Sequence, residues 1–394
     1  MAIKKIIVVC INPLTKRDFI RFGGEILKEN GFDVWFYDFS PVVYPKLFKN
    51  CTFPDLYRPE NFILFSSESE TSEAFTKLPP DSFVIMDPQF DYLTFKIFQA
   101  LSKTKIPYCA VNNHSGPEWK ENKSLSFLKI LKKIFSLNIS NLKKIIYSPR
   151  FAHIWGIRPP DFCIAGSELS LKRNRTRFII GEDTETIWAH AHDYDIYLKN
   201  KSTNKNVTGN HAVFIDPLAP AFQGDTIAMG IKQPTTVEKY YPSICIFFDY
   251  VEKELDLKIE IAAHPKSDHP PFPDYFGGRR TIRGDTFSMI ENSRLVITQA
   301  STAFQFAVLL KKPVIFITTE ELEKDKSYSG YIEAYSKAIK KKPIHIDEPL
   351  NMDLEKEMCI DEKLYEDYID LYIKKRDTEE LNTWQILTNR INFL

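Results

Sequence analysis

"RLVITQASTAFQFAVLLKKPVIFIT", residues 294–318, reads as a strand, a helix and a second strand in unbroken succession. Leu295–Thr298 is a β-branched apolar run, and Ser301 and Thr302 stand where a helix cap belongs. Phe304, Phe306, Ala307, Leu309 and Leu310 then follow at the spacing of a helix face packed inward. Lys311–Pro313 ends that helix, and "VIFIT" is a fully apolar strand. Strands joined by a helical crossover are parallel, so the segment predicts a parallel sheet covered by helices.

Working outward, the same alternation recurs on both sides. "HAVFIDP" (211–217) and "LKIEIAA" (257–263) are strand-like, with a long helix over Val237–Leu255 between them and a short one over Thr286–Asn292 after them. Near the start, Lys4–Ile11 is a strand, Arg17–Asn30 a helix ended by Gly31, and "FDVWFYDF" (32–39) another strand. "SFVIMD" (82–87), a helix over Tyr92–Ser102 and "IPYCAVNN" (106–113) make a further unit. The polar stretch Leu198–Asn210, "LKNKSTNKNVTGN", suits a linker. The expected fold class is therefore α/β, with two Rossmann-like domains facing across a cleft. Their expected bounds are 1–205 and 206–364, and 365–394 is a charged amphipathic helical segment able to pack back on the first domain. The first turn, "INPLTKRDF", carries no G-x-G-x-x-G, so a nicotinamide enzyme is not expected.

Composition narrows the partners. The 394 residues hold 52 Lys and Arg against 52 Asp and Glu, so no global field draws the chain to nucleic acid, and any basic surface must be local. The six cysteines lie far apart without a C-x-x-C pair and read as free thiols in a reducing compartment. No secretory signal is visible and no apolar run reaches the ~18 residues of a membrane span, so a cytoplasmic protein is expected. One local basic excess lies between Trp119 and Arg150, where lysines interleave with Phe127, Leu128, Ile130, Leu131, Ile134 and Phe135. It reads either as core-packed helices with solvated lysines or as a peripheral contact with anionic lipid on the inner face of the plasma membrane.

Open α/β sheets bind ligands at the carboxyl ends of their strands, so the residues that follow strands are the candidates. His264 and Pro265 end "IEIAAHP", and an imidazole there can donate to a phosphate oxygen; the alternative is an exposed histidine on a strand end. Ser301 and Thr302 cap the next helix and offer hydroxyls and amides to an anion. Asp216 ends the strand in "VFIDPLAPAFQGD", with Asp225 behind it, as ligand contacts or as turn formers. In the first half, Asp87, with Asp91 behind it, and His114 end strands and are candidate general bases or plain loop residues. His190, His192, Asp193, Asp268 and His269 fall in short spans without a zinc spacing, so no metal is expected.

"AAHP" followed by "SRLVITQASTAFQFAVLLKKPVIFIT" resembles the C-terminal domain of GT-B-fold glycosyltransferases of bacterial surface polysaccharides. The sialyltransferase-like and Kdo-transferase-like enzymes, with an HP motif and a later Ser-Thr pair, are the closest likeness. The resemblance covers about residues 211–320 and the N-terminal half only in outline. It implies transfer of a CMP-activated acidic sugar to a growing capsule or lipopolysaccharide glycan, free or lipid-linked, with the nucleotide sugar as co-substrate and no cofactor. The first domain would then bind the acceptor and the second the donor. It also implies that His264 contacts the donor phosphate and aids departure of the nucleotide, that Ser301 and Thr302 hold phosphate oxygens, and that Glu291 binds the ribose. The acidic D/E-D/E-G triplet of those sialyltransferases does not occur here, which leaves the base and the sugar open. Glycerophosphotransferases of teichoic acid synthesis share the C-terminal pattern and UDP-sugar hexose transferases or epimerases the two-domain architecture, and a non-catalytic nucleotide-sugar-binding protein would also fit.

Overall fold

A computed structural model describes residues 2–50, 56–113, 116–119, 139–172, 178–200, 209–217, 220, 233–264, 274–348 and 350–392. The chain forms two compact units. The first comprises Met1–Ser115, Asn122–His192 and Lys374–Leu394, and the second Gly116–Glu121 and Asp193–Ile373. The chain thus changes units at His192/Asp193 and again at Ile373/Lys374, and most of the polar 198–210 stretch lies outside the described residues.

Seven parallel strands build the first sheet: β1 (Lys5–Cys10), β2 (Asp33–Asp38), β3 (Phe62–Leu64), β4 (Ser82–Met86), β5 (Tyr108–Asn112), β6 (Phe162–Ala165) and β7 (Glu185–Trp188). Their order is β3-β2-β1-β4-β5-β6-β7. Alternation along β1 sends Ile6, Val8 and Cys10 into one apolar layer and Ile7 and Val9 into the other, so both faces are covered. The stretch 17–30 is two short helices, Lys16–Arg21 and Gly24–Glu29, broken at Gly23. Gly23 has φ of 71°, and a Cβ there would lie 2.2 Å from Cγ of Trp384. The break therefore has a long-range cause: the terminal helix Thr383–Ile391 lays its buried Trp384 against the turn, and the indole Nε1 donates to the Arg21 carbonyl at 2.7 Å. Only a residue without a side chain admits that approach at a left-handed turn.

The second unit carries a six-stranded parallel sheet of β8 (His211–Ile215), β9 (Lys258–Ala263), β10 (Thr281–Arg283), β11 (Leu295–Thr298), β12 (Val314–Thr318) and β13 (Ile344–His345). Its order is β10-β9-β8-β11-β12-β13, so two Rossmann-like sheets with one winding pattern occur in the chain. The long helix spans Val237–Leu255 and buries Tyr240, Ile244, Phe247, Phe248 and Val251 against the sheet. Residues 301–310 begin as a 3-10 turn, Thr302–Phe304, and only then continue as the short α-helix Gln305–Leu309. Gly116–Trp119 packs within this unit, with a Cβ at Gly330 placed 2.1 Å from the Trp119 indole nitrogen. Glu362–Tyr368 and a π-helical turn, Ile369–Ile373, close it.

Candidate functional site

In each sheet the strand order reverses between two neighbours, β1 and β4 in the first and β8 and β11 in the second, and the carboxyl ends at such a point leave a crevice between loops. The register decides which side chains meet there. In the second unit Phe214 pairs with Ile297, so the next-but-one residues, Asp216 and Gln299, stand beside one another just beyond the strands. Asp216 is 1 % exposed and its amide donates to the Ala262 carbonyl at 3.1 Å, while Gln299 is fully buried. Gln299 Nε2 donates to the Tyr240 hydroxyl at 3.1 Å. Burial, and after it the charges of its neighbours Tyr328 and Asp216, pushes the Tyr240 phenol well above its ordinary range; burial and Asp216 do the same to Tyr328. Both phenols stay protonated beside a carboxylate. They are polar groups of fixed protonation, suited to binding.

His264 follows β9 directly at the same edge and is half-buried. Ser301 and Thr302 follow β11 two and three residues after Gln299. Ser301 Oγ accepts from the Ala303 amide at 3.3 Å, so capping occupies one of its lone-pair sites and leaves the hydroxyl hydrogen for an anion. The helix that follows β8 has its first turn already covered. Glu321 accepts from the Thr236 amide at 2.8 Å and from the Thr236 hydroxyl at 3.1 and 3.2 Å, which places a carboxylate where an anionic ligand would otherwise bind.

Glu291 does not join this group. It lies in the helix Thr286–Asn292, which runs back over the sheet and ends just before β11 begins, at the opposite edge. Its carbonyl accepts from the buried Lys312 ammonium at 2.8 Å, together with the Ser293 carbonyl, and Lys312 in turn precedes β12. Four strand residues, about 13 Å, separate it from Gln299. Pro265, His114, Asp225, Asp268 and His269 lie outside the described residues, as do 221–232, which follow β8 in the chain.

In the first unit Val9 pairs with Met86, which brings Cys10 and Asp87 together at the reversal, with Asp38 on the other side of Cys10. Asp38 is buried and ties two loops together, accepting from the amides of Ser40 at 2.8 Å and Leu14 at 3.2 Å. Burial pushes its carboxyl upward, and pushes the Cys10 thiol well above its usual range, with Asp38 and Asp87 adding to the latter. Among the described residues Asp87 accepts no such stitching bond. Burial raises its pKa from 3.8 to about 6, with Arg21 opposing the rise and Asp18 adding to it. Asp91 behind it is a turn-former: its carboxylate accepts from the amides of Leu93 at 2.8 Å and Thr94 at 3.2 Å, ahead of the helix Phe95–Ser102.

His190 is fully buried in the first unit. Its Nε2 donates to the Leu381 carbonyl at 2.8 Å, and its neighbour His192 stacks on Trp384, so these histidines serve packing. Among the described residues no three His, Cys, Asp or Glu side chains converge as a metal site would require. Cys10, Cys109, Cys163, Cys245 and Cys359 are free thiols, the first three buried. Among the described residues no helix is long and apolar enough to cross a membrane.

Of the residues singled out from the sequence, Asp87, Asp216, His264, Ser301 and Thr302 lie at the carboxyl ends of strands, and Gln299, Tyr240 and Tyr328, which stand around Asp216, were not among them. A glutamine ending the apolar run "LVIT" was the available signal for the first, because a polar side chain there faces the ligand edge; the tyrosines come from distant helices.

No protein-family model matches the chain, and no curated protein sequence does. Solved structures do. Two structures of the wall teichoic acid polymerase TagF, one a variant soaked with CDPG, superpose with TM-scores of 0.52 and 0.54 at 14 and 13% identity, covering 99% of this chain and 88 and 89% of theirs. The UDP-GlcNAc 2-epimerase of Methanocaldococcus jannaschii aligns over 99% of this chain and 98% of its own at 13% identity and a TM-score of 0.47. At these identities the likeness establishes the fold: the chain is built on the two-Rossmann, GT-B-type plan.

Proposed function

We propose that the protein is a group-transfer enzyme of the glycosyltransferase type, acting on a nucleotide-activated donor. The second unit would hold the nucleotide. The observation that carries this reading is the gathering of Asp216, His264, Gln299, Ser301 and Thr302 at one carboxyl edge of a sheet whose strand order reverses there. His264 and the two hydroxyls supply donors for phosphate oxygens, and the Glu321 carboxylate directs the anion away from the helix after β8 and toward them. In the step itself the acceptor oxygen forms its bond to the anomeric carbon as the bond from that carbon to the donor phosphate breaks. The electron pair leaves with the nucleotide, and the acceptor proton passes to a base. Asp87 is that base in our reading, because burial holds its pKa at about 6, near the pH at which it must both accept and release a proton.

The donor we favour is a CMP-linked acidic sugar, by the motif resemblance through His264, Ser301 and Thr302, with a surface-polysaccharide glycan as acceptor. A second reading, transfer of glycerol phosphate from a cytidine diphosphate donor, is supported by the likeness to TagF over nearly the whole chain. Melting curves in CMP, CDP, UDP and GDP test the shared premise. Cytidine nucleotides should raise the melting temperature, by the equivalent of about 2.7 kcal/mol at a hundredfold excess over Kd, and His264→Ala should lose most of that rise. A flat response to all four nucleotides would overturn the nucleotide assignment. Stabilisation by UDP alone would shift it to a hexose donor, and product formation from CMP-sugar or CDP-glycerol separates the two cytidine readings.

A further inference from the structure

The helix Ile139–Ile146 and the 3-10 helix Pro149–Trp155 stand between β5 and β6 in the chain, and neither enters the site described above. Their apolar side chains point the wrong way for an ordinary surface. Leu142 is 47% exposed, Ile145 52%, Phe151 40% and Ile154 66%. Leu142, Ile145 and Ile146 follow one another at helical spacing, so the stripe that a surface helix normally buries is here the open one. The two segments are nevertheless pinned. Phe95 packs on Tyr147 and Trp155 with ring centroids 4.2 and 5.8 Å apart, Trp155 Nε1 donates to the Ile146 carbonyl at 2.9 Å, and Ala152 and Ile157 are buried beneath. The crest is held out by its own anchors.

Charge selects what can cover it. Lys143, Lys144, Arg150 and His153 are exposed around the crest, and between Glu121 and Asp161 the sequence contains no acidic residue. A second copy of the same face would set these lysines against each other with no carboxylate between them to offset the repulsion. An acidic protein surface would answer the charge but would not need so many exposed aliphatic side chains, and nucleic acid would leave them in water. A bilayer bearing anionic headgroups satisfies both, because apolar side chains enter the headgroup and acyl boundary while lysine and arginine reach the phosphates.

We propose that the face formed by Leu142, Ile145, Phe151 and Ile154, with Lys143, Lys144 and Arg150 exposed on the same two segments, docks the protein on an anionic lipid bilayer. This attachment is independent of the reaction proposed above and is read without any turnover. Full-length protein is floated with vesicles of phosphatidylcholine, alone or mixed with phosphatidylglycerol. The protein should rise with the mixed vesicles and stay below with phosphatidylcholine. Ile145→Asp with Ile154→Asp should abolish flotation, and Lys143→Gln with Lys144→Gln should weaken partition by about fivefold per lysine. All four positions are solvent-exposed, so melting temperatures should not move; if the aspartate pair melts early, the glutamine pair decides alone. Failure of the native protein to float with anionic vesicles overturns the proposal. So does flotation that both pairs leave intact, which would assign binding to another segment. A dimer that the aspartate pair converts to monomer, with vesicle binding unchanged, would overturn it in favour of a second copy.

Discussion

The two sheets wind identically, yet their reversal points carry opposite chemistry. In the first, the acid stands on the fourth strand: Asp87 beside Cys10, half-buried and titrating at about 6. In the second, the acid stands on the first strand of the domain: Asp216 beside Gln299, with Tyr240 and Tyr328 kept protonated around it. Winding determines where a ligand can sit, and the side chains one or two positions past the strands determine what happens to it. The first edge can exchange a proton near neutral pH. The second sets around its acid two phenols that keep their protons there.

The sharpest way to break this division is Asp87→Asn. Turnover should fall by about 10²–10⁴-fold, the range for loss of a general base, while the nucleotide-induced melting shift assigned to the second unit stays the same. Two pH profiles should run in opposite directions. A carboxyl raised from 3.8 to about 6 on folding binds its proton more tightly in the native state, so stability is greatest below pH ~4 and declines as pH rises through ~6. Activity needs the ionised base and should climb through the same interval. Both trends should vanish in the asparagine variant, which should be the more stable protein above pH ~6. An acid limb that persists in Asp87→Asn assigns the base elsewhere, with His114 next in line.

The second edge yields the next effect. Tyr240→Phe removes the acceptor of the Gln299 amide, and Gln299 Oε1 has no hydrogen-bond partner among the described residues. Leaving both ends of a buried amide unpaired costs about 1–3 kcal/mol, read as a shift of the urea midpoint without a change of slope. Nucleotide binding should weaken as well, since Tyr240 and Gln299 stand at the same strand ends as Asp216. If Tyr240→Phe leaves both the midpoint and the binding untouched, the Gln299–Tyr240 pair plays no part in binding and the contrast between the edges weakens.

Much of this was legible because parallel strands buried on both faces are continuous apolar runs. β1, β2, β4, β5, β8, β9, β11 and β12 stand out in the sequence for that reason, and each polar residue just past them is a candidate. β3 and β10, with three residues, and β13, with two, are too short for any period to register, and "FCIA" of β6 is hardly longer. The break at Gly23 was hidden for another reason: its cause, Trp384, lies at the far end of the chain. Glu291 was misplaced for want of helix direction. Counting residues puts it close before Ser301, but a helix returning over a parallel sheet ends at the amino edge of the next strand, so proximity in sequence became separation by a strand length.

The smallest effect tests whether Ser301 does more than cap. Its Oγ accepts from the Ala303 amide at 3.3 Å, a long bond opening a turn of three residues, so Ser301→Ala should lower stability by no more than about 1 kcal/mol. A cap and a phosphate ligand then part company in a second measurement. If the hydroxyl also donates to a donor oxygen, nucleotide affinity should drop by roughly fivefold or more, a loss that the folded free protein does not share. Equal small changes in melting with and without nucleotide would reduce Ser301 to a cap. Phosphate binding at this edge would then rest on His264 and Thr302, and the second reversal point would hold its ligand chiefly through the polar group around Asp216.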